Sequence, residues 1–344
     1  MRRHADGEGQ TPRTDDRPLW DINWGMLAGP AFLVAHDLKL FPLLAEQPRT
    51  LAQVCAALNI ASRPANALLT VCTALGLVQI QGSLYSLTPT SEDYLLETSP
   101  TYFGGFLDLQ IANNSLLSFE GVKKAVLTNS AQVYGSGDLF RSHEEQASLA
   151  RAFTRAMHGH SMGAALTWPR LIDLSEHRLM LDVGGGSAAH AIGAAQRWPK
   201  LQAIVLDIAP VCDVAAEFIA QHGLQGRVTT HVGDMWTDPF PAADLHFYAD
   251  IYHDWPPEKC QFLTRRSFES LSPGGRLLIH EVLYNDARTG PLAAAAYSVA
   301  MLLYTEGQQY SERELSAMLT EAGFIDIEVT ATFGYWSMVS GRKP

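Results

Sequence analysis

The sequence predicts an α/β protein in two parts: a mainly helical N-terminal domain with the outline of a winged helix, then a domain built on a doubly wound, mostly parallel sheet. Three observations carry that expectation. From Arg178 onward short apolar segments alternate with helical ones, which is the grammar of strand, loop and helix repeated. The glycine run Gly184-Gly185-Gly186 directly follows the first of those strands, and before Arg178 apolar residues recur at helical spacing. A chain of 344 residues with 47% hydrophobic content can bury two cores. The expected division is a disordered tail over 1–17, a helical domain over 18–174 and a catalytic domain over 175–344.

In chain order, residues 1 to 17 are polar and charged with no apolar h-region, which reads as a disordered tail and not as a signal peptide. Between Trp20 and Ala45, Ile22, Met26, Leu27, Ala31, Val34, Ala35 and Leu38 give one or two helices with a wide apolar face, expected to pack on a second subunit. Thr50 to Leu58 reads as a short helix. Arg63-Pro64 opens another that runs to Leu75-Gly76, and Leu77 to Thr88 alternates across Gly82-Ser83 like a hairpin. Helices are expected through Tyr102 to Leu127 and Glu144 to Leu174. Strands are expected at Arg178 to Val183, Gln202 to Leu206, Val228 to Val232, Ala243 to Ala249 and Arg276 to Val282. Helices at Ala188 to Trp198, Val211 to His222 and Pro257 to Leu271 lie between them, and Ile325 to Ala331 with Trp336 to Gly341 form a closing antiparallel hairpin.

Composition narrows the partners. A net charge of −11 and a pI near 5.5 speak against nucleic acid or an anionic membrane, since either needs a cationic face. Between Arg49 and Leu96 the only basic residues are Arg49 and Arg63, too few to neutralise several phosphates, so the winged helix reads as a dimerisation and substrate-lid module. No apolar stretch reaches the length of a membrane span. Cys55, Cys72, Cys212 and Cys260 are scattered without a C-x-x-C pair, which argues for reduced thiols in a cytoplasm, with no metal site and no disulfide framework.

The glycine loop alone does not separate two cofactors. Gly184, Gly186 and Ala189 satisfy the dinucleotide spacing G-x-G-x-x-A, and Asp207 lies where a ribose-binding acid belongs. S-adenosylmethionine is favoured over a nicotinamide because Asp182, two residues before Gly184, suits a ligand bearing ammonium and sulfonium better than one bearing pyrophosphate. Gly233-Asp234-Met235 follows the third strand, where a carboxylate reaches an adenine amino group and a thioether packs on the ring. Each carboxylate also has a plainer reading as a loop brace; the set persuades because all three end consecutive strands.

After the fourth strand stands Tyr252-His253-Asp254-Trp255, and after the fifth, His280-Glu281. A carboxylate on one imidazole nitrogen holds the tautomer whose other nitrogen takes a proton, so His253 and Glu281 form a candidate base and its orienting acid. Deprotonating a phenol (pKa about 10) with an ordinary histidine (about 6.5) leaves a mismatch of about 3.5 units, or about 5 kcal/mol.

The ordered set LDVGGGS, VLDIAPV, GDMW, IYHDWPPEKC, SPGGRLLIHEVL and GPLAAAAYSVAMLLYTEGQ resembles the plant-type small-molecule O-methyltransferases, the family of caffeate and acetylserotonin O-methyltransferases and bacterial natural-product relatives. The resemblance runs from about Trp20 to the end. It implies a homodimer with a winged-helix domain and a Rossmann-like class I methyltransferase domain. It puts Gly184, Asp207, Asp234 and Met235 on S-adenosylmethionine, makes His253 the general base steered by Glu281, and places Met157 and Met162 in a segment that walls the aromatic pocket; both also read as ordinary core methionines. The departures concern the acceptor. Gln309 stands where the family commonly has a second glutamate, with Glu306 nearby as a substitute, and Ala300 replaces an Asp or Asn. Asp250 lies three residues before the base, either to meet an amino group or, as the slightly favoured reading, to face solvent. Tyr297, Tyr304 and Trp168 suggest an aromatic guest.

The leading expectation is methylation of a hydroxyl on a small aromatic metabolite. A second enzyme reading, methylation of an activated carbon ortho to a hydroxyl, uses the same base. A non-catalytic winged-helix regulator and a nicotinamide oxidoreductase are the remaining alternatives.

Overall fold

The computed structural model describes residues 12–133 and 146–344, so most of the expected tail and the start of the helix expected at Glu144 lie outside the described residues. The chain divides into two compact units, 1–99 and 100–344.

In the first unit, α1 (Arg17–Asp37) and α2 (Leu40–Glu46) follow the apolar stripe; the helix begins at Arg17, so the tail ends one residue earlier than expected. α1 leaves Leu19 (70%), Ile22 (68%) and Met26 (68%) exposed together with Trp20, Trp24 and Leu27, an apolar face without cover in the single chain. β1 (Arg49–Thr50) leads into α3 (Leu51–Leu58), where Thr50 and Gln53 close a capping box that satisfies two orphan N–H groups reciprocally. α4 (Ser62–Ala74), the hairpin β2 (Val78–Gln81) and β3 (Leu84–Leu87), and α5 (Pro89–Tyr94) complete the unit. The strands pair in the order β1-β3-β2, the helix-and-wing outline read from the sequence.

The second unit begins with α6 (Gly104–Ala112), α7 (Phe119–Thr128) and α8 (Ala147–Ala165). Its sheet contains β4 (Leu179–Val183), β5 (Gln202–Asp207), β6 (Val228–Val232), β7 (Leu245–Ala249), β8 (Arg276–Val282), β9 (Ile325–Phe333) and β10 (Trp336–Arg342), in the order β6-β5-β4-β7-β8-β10-β9. β4 to β8 run parallel, and β9 and β10 form the antiparallel end. Between the strands lie α9 (Ala189–Arg197), α10 (Ala209–Gln221), α11 (Pro257–Ser270), α12 (Leu292–Tyr304) and α13 (Glu312–Ala322).

Successive strand residues point to opposite faces, and the two cores follow that alternation. Met180, Val205, Leu245, Phe247 and Leu278 pack with Trp168, Ile192 and Ala215 on one face. Leu181, Leu206, Tyr248, Leu277 and Ile279 pack with Leu263, Leu315 and Leu319 on the other. Trp168 is therefore a core residue and not a pocket wall; its ring stacks on Phe247 at 4.9 Å and its Nε1 donates to His190 Nδ1 at 3.1 Å.

The break between units falls at 99/100, whereas the sequence suggests 174/175. α8 lies against α9 and α10 of the sheet domain, so its helical periodicity says nothing about which core it joins. The α8–α9 crossing is close because Gly193 has no side chain: a Cβ there would sit 2.0 Å from the Ala165 carbonyl oxygen. Gly193→Ala gains up to about 1 kcal/mol of helix propensity but must displace backbone, an overpacking cost of about 1–3 kcal/mol. The expected result is a net lower Tm in thermal unfolding; a higher Tm would show that the two helices separate without penalty.

Candidate active site

One cavity of about 560 Å³ opens at the carboxyl ends of β4, β5, β6 and β7 in the second unit, where open α/β sheets bind ligands. Asp182, Gly184, Gly186, Asp207, Asp234, Met235, Asp250, His253, Met157 and Tyr304 line it. Gln309 and Glu281 stand behind His253 instead. Met162 does neither: it is buried against Ala165 and Ala189, a correction to its expected place in the pocket. The reason is helical phase. Phe153, Thr154, Met157, His160 and Ser161 share the cavity face of α8 at i, i+1, i+4, i+7 and i+8 spacing, and a residue five beyond Met157 points elsewhere.

At the cofactor end, Gly184 takes φ +66° as the chain leaves β4 and donates its N–H to the Leu206 carbonyl at 2.8 Å. Asp207 accepts from Gly186 N at 3.0 Å and Ile208 N at 2.8 Å, tying the loop to the end of β5. Burial, opposed by those two N–H groups, pushes its carboxyl up to about 6. Asp182 is 1% exposed, and neither of its oxygens has a hydrogen-bond partner among the described residues. Burial first and neighbouring Asp207 second push it up to about 8, against a weak pull from the Ala191 backbone N–H, which approaches without hydrogen-bond geometry. Its carboxyl packs into the glycine loop, since a Cβ on Gly185 would lie 2.6 Å from Asp182 Cγ. An orphaned buried carboxylate is costly, and a ligand bringing donors or positive charge relieves it, which fits the ammonium and sulfonium of S-adenosylmethionine and opposes a pyrophosphate. Asp234 braces its own loop, accepting from Trp236 N at 2.8 Å and Thr237 Oγ1 at 3.0 Å, while Met235 packs beside it on the apolar cluster under the cavity.

At the acceptor end, the chain leaving β7 forms a 3-10 turn, Tyr252–Asp254. Glu281 Oε1 accepts the backbone N–H groups of Ile251, Tyr252 and His253 at 3.1, 2.9 and 3.3 Å. Its other oxygen lies 2.9 Å from His253 Nδ1, which leaves Nε2 as the free ring nitrogen, 3.6 Å from Asp254 Oδ1. Burial alone pulls the imidazole pKa down, but Glu281, Asp254 and Asp250 outweigh it and push it up to about 10. Asp250 lines the cavity, 3.8 Å from His253 Nδ1 and with its side chain 9% exposed, and so points inward rather than to solvent. Gln309 Nε2 lies 3.2 Å from the same nitrogen, delivered by a segment whose Gly307 touches the His253 carbonyl so closely that a Cβ would sit 2.1 Å away. Glu306 does not substitute for a second glutamate: half exposed, it pairs with Lys259 at 2.8 Å. Asp250, His253 and Glu281 offer ligand atoms within 4.8 Å of one another, but the 2.9 Å Nδ1 contact is the length of a hydrogen bond through the imidazole proton.

Sequence reasoning passes over His160, Asp254, Phe106 and Trp336, all cavity-lining. His160 was legible in principle, three residues from Met157 on one helix face.

Comparison with known proteins identifies the family. A family model described as the O-methyltransferase domain matches residues 119–325, and one described as the O-methyltransferase dimerisation domain matches 20–97. The chain is 31% identical to 3-hydroxy-5-methyl-1-naphthoate 3-O-methyltransferase of Streptomyces sahachiroi, over 98% of this chain and 99% of that one. It is 30% identical to acetylserotonin O-methyltransferase of Homo sapiens over 95% of this chain and 97% of the relative. The crystal structure of human N-acetylserotonin methyltransferase with S-adenosylmethionine superposes with a TM-score of 0.83 at 29% identity, covering 97% and 99% of the two chains.

Two substitutions separate the roles of Glu281. Glu281→Gln keeps an acceptor for the turn and removes the charge, so folding is expected to survive while kcat falls by about 10²–10⁴-fold. The imidazolium contribution to stability is fully present below about pH 6.5 and is lost as pH rises through about 10; thermal melts of Glu281→Gln should lose that alkaline decline. Glu281→Ala orphans three buried N–H groups at about 1–3 kcal/mol each and should unfold at markedly lower denaturant. Equal stability of the two variants would contradict this division.

Proposed function

On the premise that the chain belongs to the O-methyltransferase family and is an S-adenosylmethionine-dependent methyltransferase, we propose that it methylates a hydroxyl of a small aromatic compound with His253 as general base. The observation that carries this reading is the pairing of His253 with Glu281 at the edge of an apolar cavity whose other end holds the unpartnered Asp182 carboxylate. The cofactor, held by Asp182, the Gly184–Gly186 loop, Asp207, Asp234 and Met235, supplies an electrophilic methyl group on sulfonium when bound. Phe106, Met157, Tyr297, Tyr304 and Trp336 wall the acceptor space, consistent with a flat aromatic guest. His253 Nε2 takes the hydroxyl proton while Glu281 keeps the proton on Nδ1 and stabilises the imidazolium that results. The mismatch of about 3.5 units expected for an ordinary histidine and a phenol narrows with the imidazole raised to about 10, at the cost that the ring must first lose its own proton at neutral pH. Loss of the family's second glutamate therefore does not weaken the base, because Asp250 and Asp254 supply charge around the same ring. The proton then leaves to water as the product departs.

Nothing in the cavity favours carbon as the methyl acceptor. Nucleic-acid binding through the wing finds less support than the sequence alone offers, since Arg49, one of the two basic residues there, is largely buried and paired with Glu46. The exposed apolar face of α1, within the matched dimerisation domain, supports a homodimer. Four free cysteines suit the cytoplasm. Among the described residues no single helix is long and apolar enough to cross a membrane.

Calorimetry tests the cofactor: S-adenosylhomocysteine should bind and NAD should not, and the reverse would sink the reading. With a phenolic acceptor, log kcat/KM should rise with near-unit slope from about pH 7 to 9 as His253 loses its proton, and His253→Ala should lose activity across the range. A product retaining its free hydroxyl by mass fragmentation would overturn O-methylation. Trp24→Glu should convert a dimer to monomer in light scattering; an unchanged mass would place the interface elsewhere.

A further inference from the structure

Opposite the base, Asp250 and His160 face each other without a partner between them. Asp250 leaves β7 with φ +53°, a conformation uncommon outside glycine that tends to persist where function requires a side chain to be aimed. Its N–H donates to the His280 carbonyl at 3.2 Å, and its Oδ1 accepts from Trp336 Nε1 at 3.2 Å. Those two contacts fix the carboxylate and leave Oδ2 facing His160 Nδ1 at 3.8 Å, with the two side chains 9% and 6% exposed. That separation is too long for a hydrogen bond. His160 Nδ1 is buried without any hydrogen-bond partner among the described residues, although its ring is clamped by Phe106 at 4.9 Å and Trp336 at 5.4 Å. Both residues line the cavity beside His253. A single nitrogen about 2.9 Å from each atom would satisfy both, donating one hydrogen to Asp250 and another to the imidazole.

Charge selects between an amine and other donors. Among the described residues the cavity is lined by Asp182, Asp207, Asp234, Asp250 and Asp254 and by no lysine or arginine. A carboxylate on the acceptor would meet repulsion from these acids, whereas an ammonium would engage Asp250 Oδ2, the oxygen that faces His160, while the other oxygen lies toward His253 at 3.8 Å. We propose that Asp250 and His160 form an amine-recognising subsite, so that the acceptor is a hydroxyarene carrying a primary amine. This deepens the methyl-transfer reading and rests on it. Asp250 and His160 are specificity residues here; the base remains His253.

The test uses the full-length protein saturated with S-adenosylhomocysteine, titrated calorimetrically at neutral pH with matched probes. These are 3- and 4-hydroxybenzylamine, the corresponding hydroxybenzyl alcohols, ethylphenols and hydroxybenzoates. At one ring position the amine should bind at least tenfold more tightly than the alcohol and the ethylphenol, with the benzoate weakest. Asp250→Asn should shrink that preference to threefold or less. His160→Phe, which keeps the ring contacts and removes the nitrogen, should reduce it as well and serves if the first variant does not fold. An alcohol or ethylphenol that binds as tightly as the amine, no detectable binding of either amine, or a preference that survives both substitutions would each overturn the subsite. Failure of S-adenosylhomocysteine itself to bind would instead sink the methyl-transfer reading on which the subsite depends.

Discussion

Glu281 couples the shape of the site to its chemistry. A carboxylate this deeply buried is expensive to ionise unless its lone pairs are engaged. Three backbone N–H groups engage one oxygen, and the other lies 2.9 Å from the His253 ring nitrogen. The turn that presents His253 and the charge that raises its basicity thus come from a single side chain. What brings that side chain there is sheet register: Ala249 of β7 lies beside His280 of β8, so the residue after each ends up adjacent at the strand ends. A slip of one residue would turn Glu281 to the opposite face, and both turn and base would lose their partner together.

Much of this arrangement is legible in the sequence because it depends on local rules. Continuous apolar runs in LMLDV, QAIVLD and RLLIHEV, each ending in or near an acid, mark strands buried on both faces and where the chain turns into the cavity. The glycine loop, Asp207 and the His253–Glu281 pair follow from strand ends alone. Residues whose roles depend on approach between distant elements are less legible. Gln309 reaches His253 only because Gly307 lets two backbones touch, and nothing near it in the chain announces that. Met162 and His160 stand two residues apart on one helix, yet one enters the core and the other the cavity; only the phase of α8, set by its crossing with α9, decides. Glu306 is near Gln309 in sequence but is drawn outward to Lys259. The division into compact units at 99/100 is hard to read for the same reason, since helical periodicity identifies a buried face without saying what covers it.

The distribution of charge ties the two ends of the cavity together. Asp182 and the partly buried Asp207 stand at one end and Asp254, Glu281 and the partly buried Asp250 at the other, with no lysine or arginine lining the space among the described residues. Burial is the main reason that Asp182, Asp207 and Asp250 are raised rather than left acidic, with Asp207 adding to it at Asp182 and Glu281 adding to it at Asp250 against the pull of His160 and His253. His253, pushed up to about 10, brings one positive charge to this set of acids, and a cationic ligand brings a second to the Asp182 end.

That second charge gives the reaction a direction. A sulfonium ligand carries a positive charge that its demethylated product lacks, so the attraction from Asp182 and the carboxylates around His253 falls when the methyl group leaves, in a cavity where weak screening makes each charge count. On the proposal that His253 takes the hydroxyl proton, the carboxylates that no longer face a sulfonium would face an imidazolium instead, and the positive charge would pass from cofactor to base within one ring of acids. Preorganised carboxylates of this kind stabilise the charge wherever it resides along the path without having to rearrange, which is the reason for burying so many of them around a single histidine.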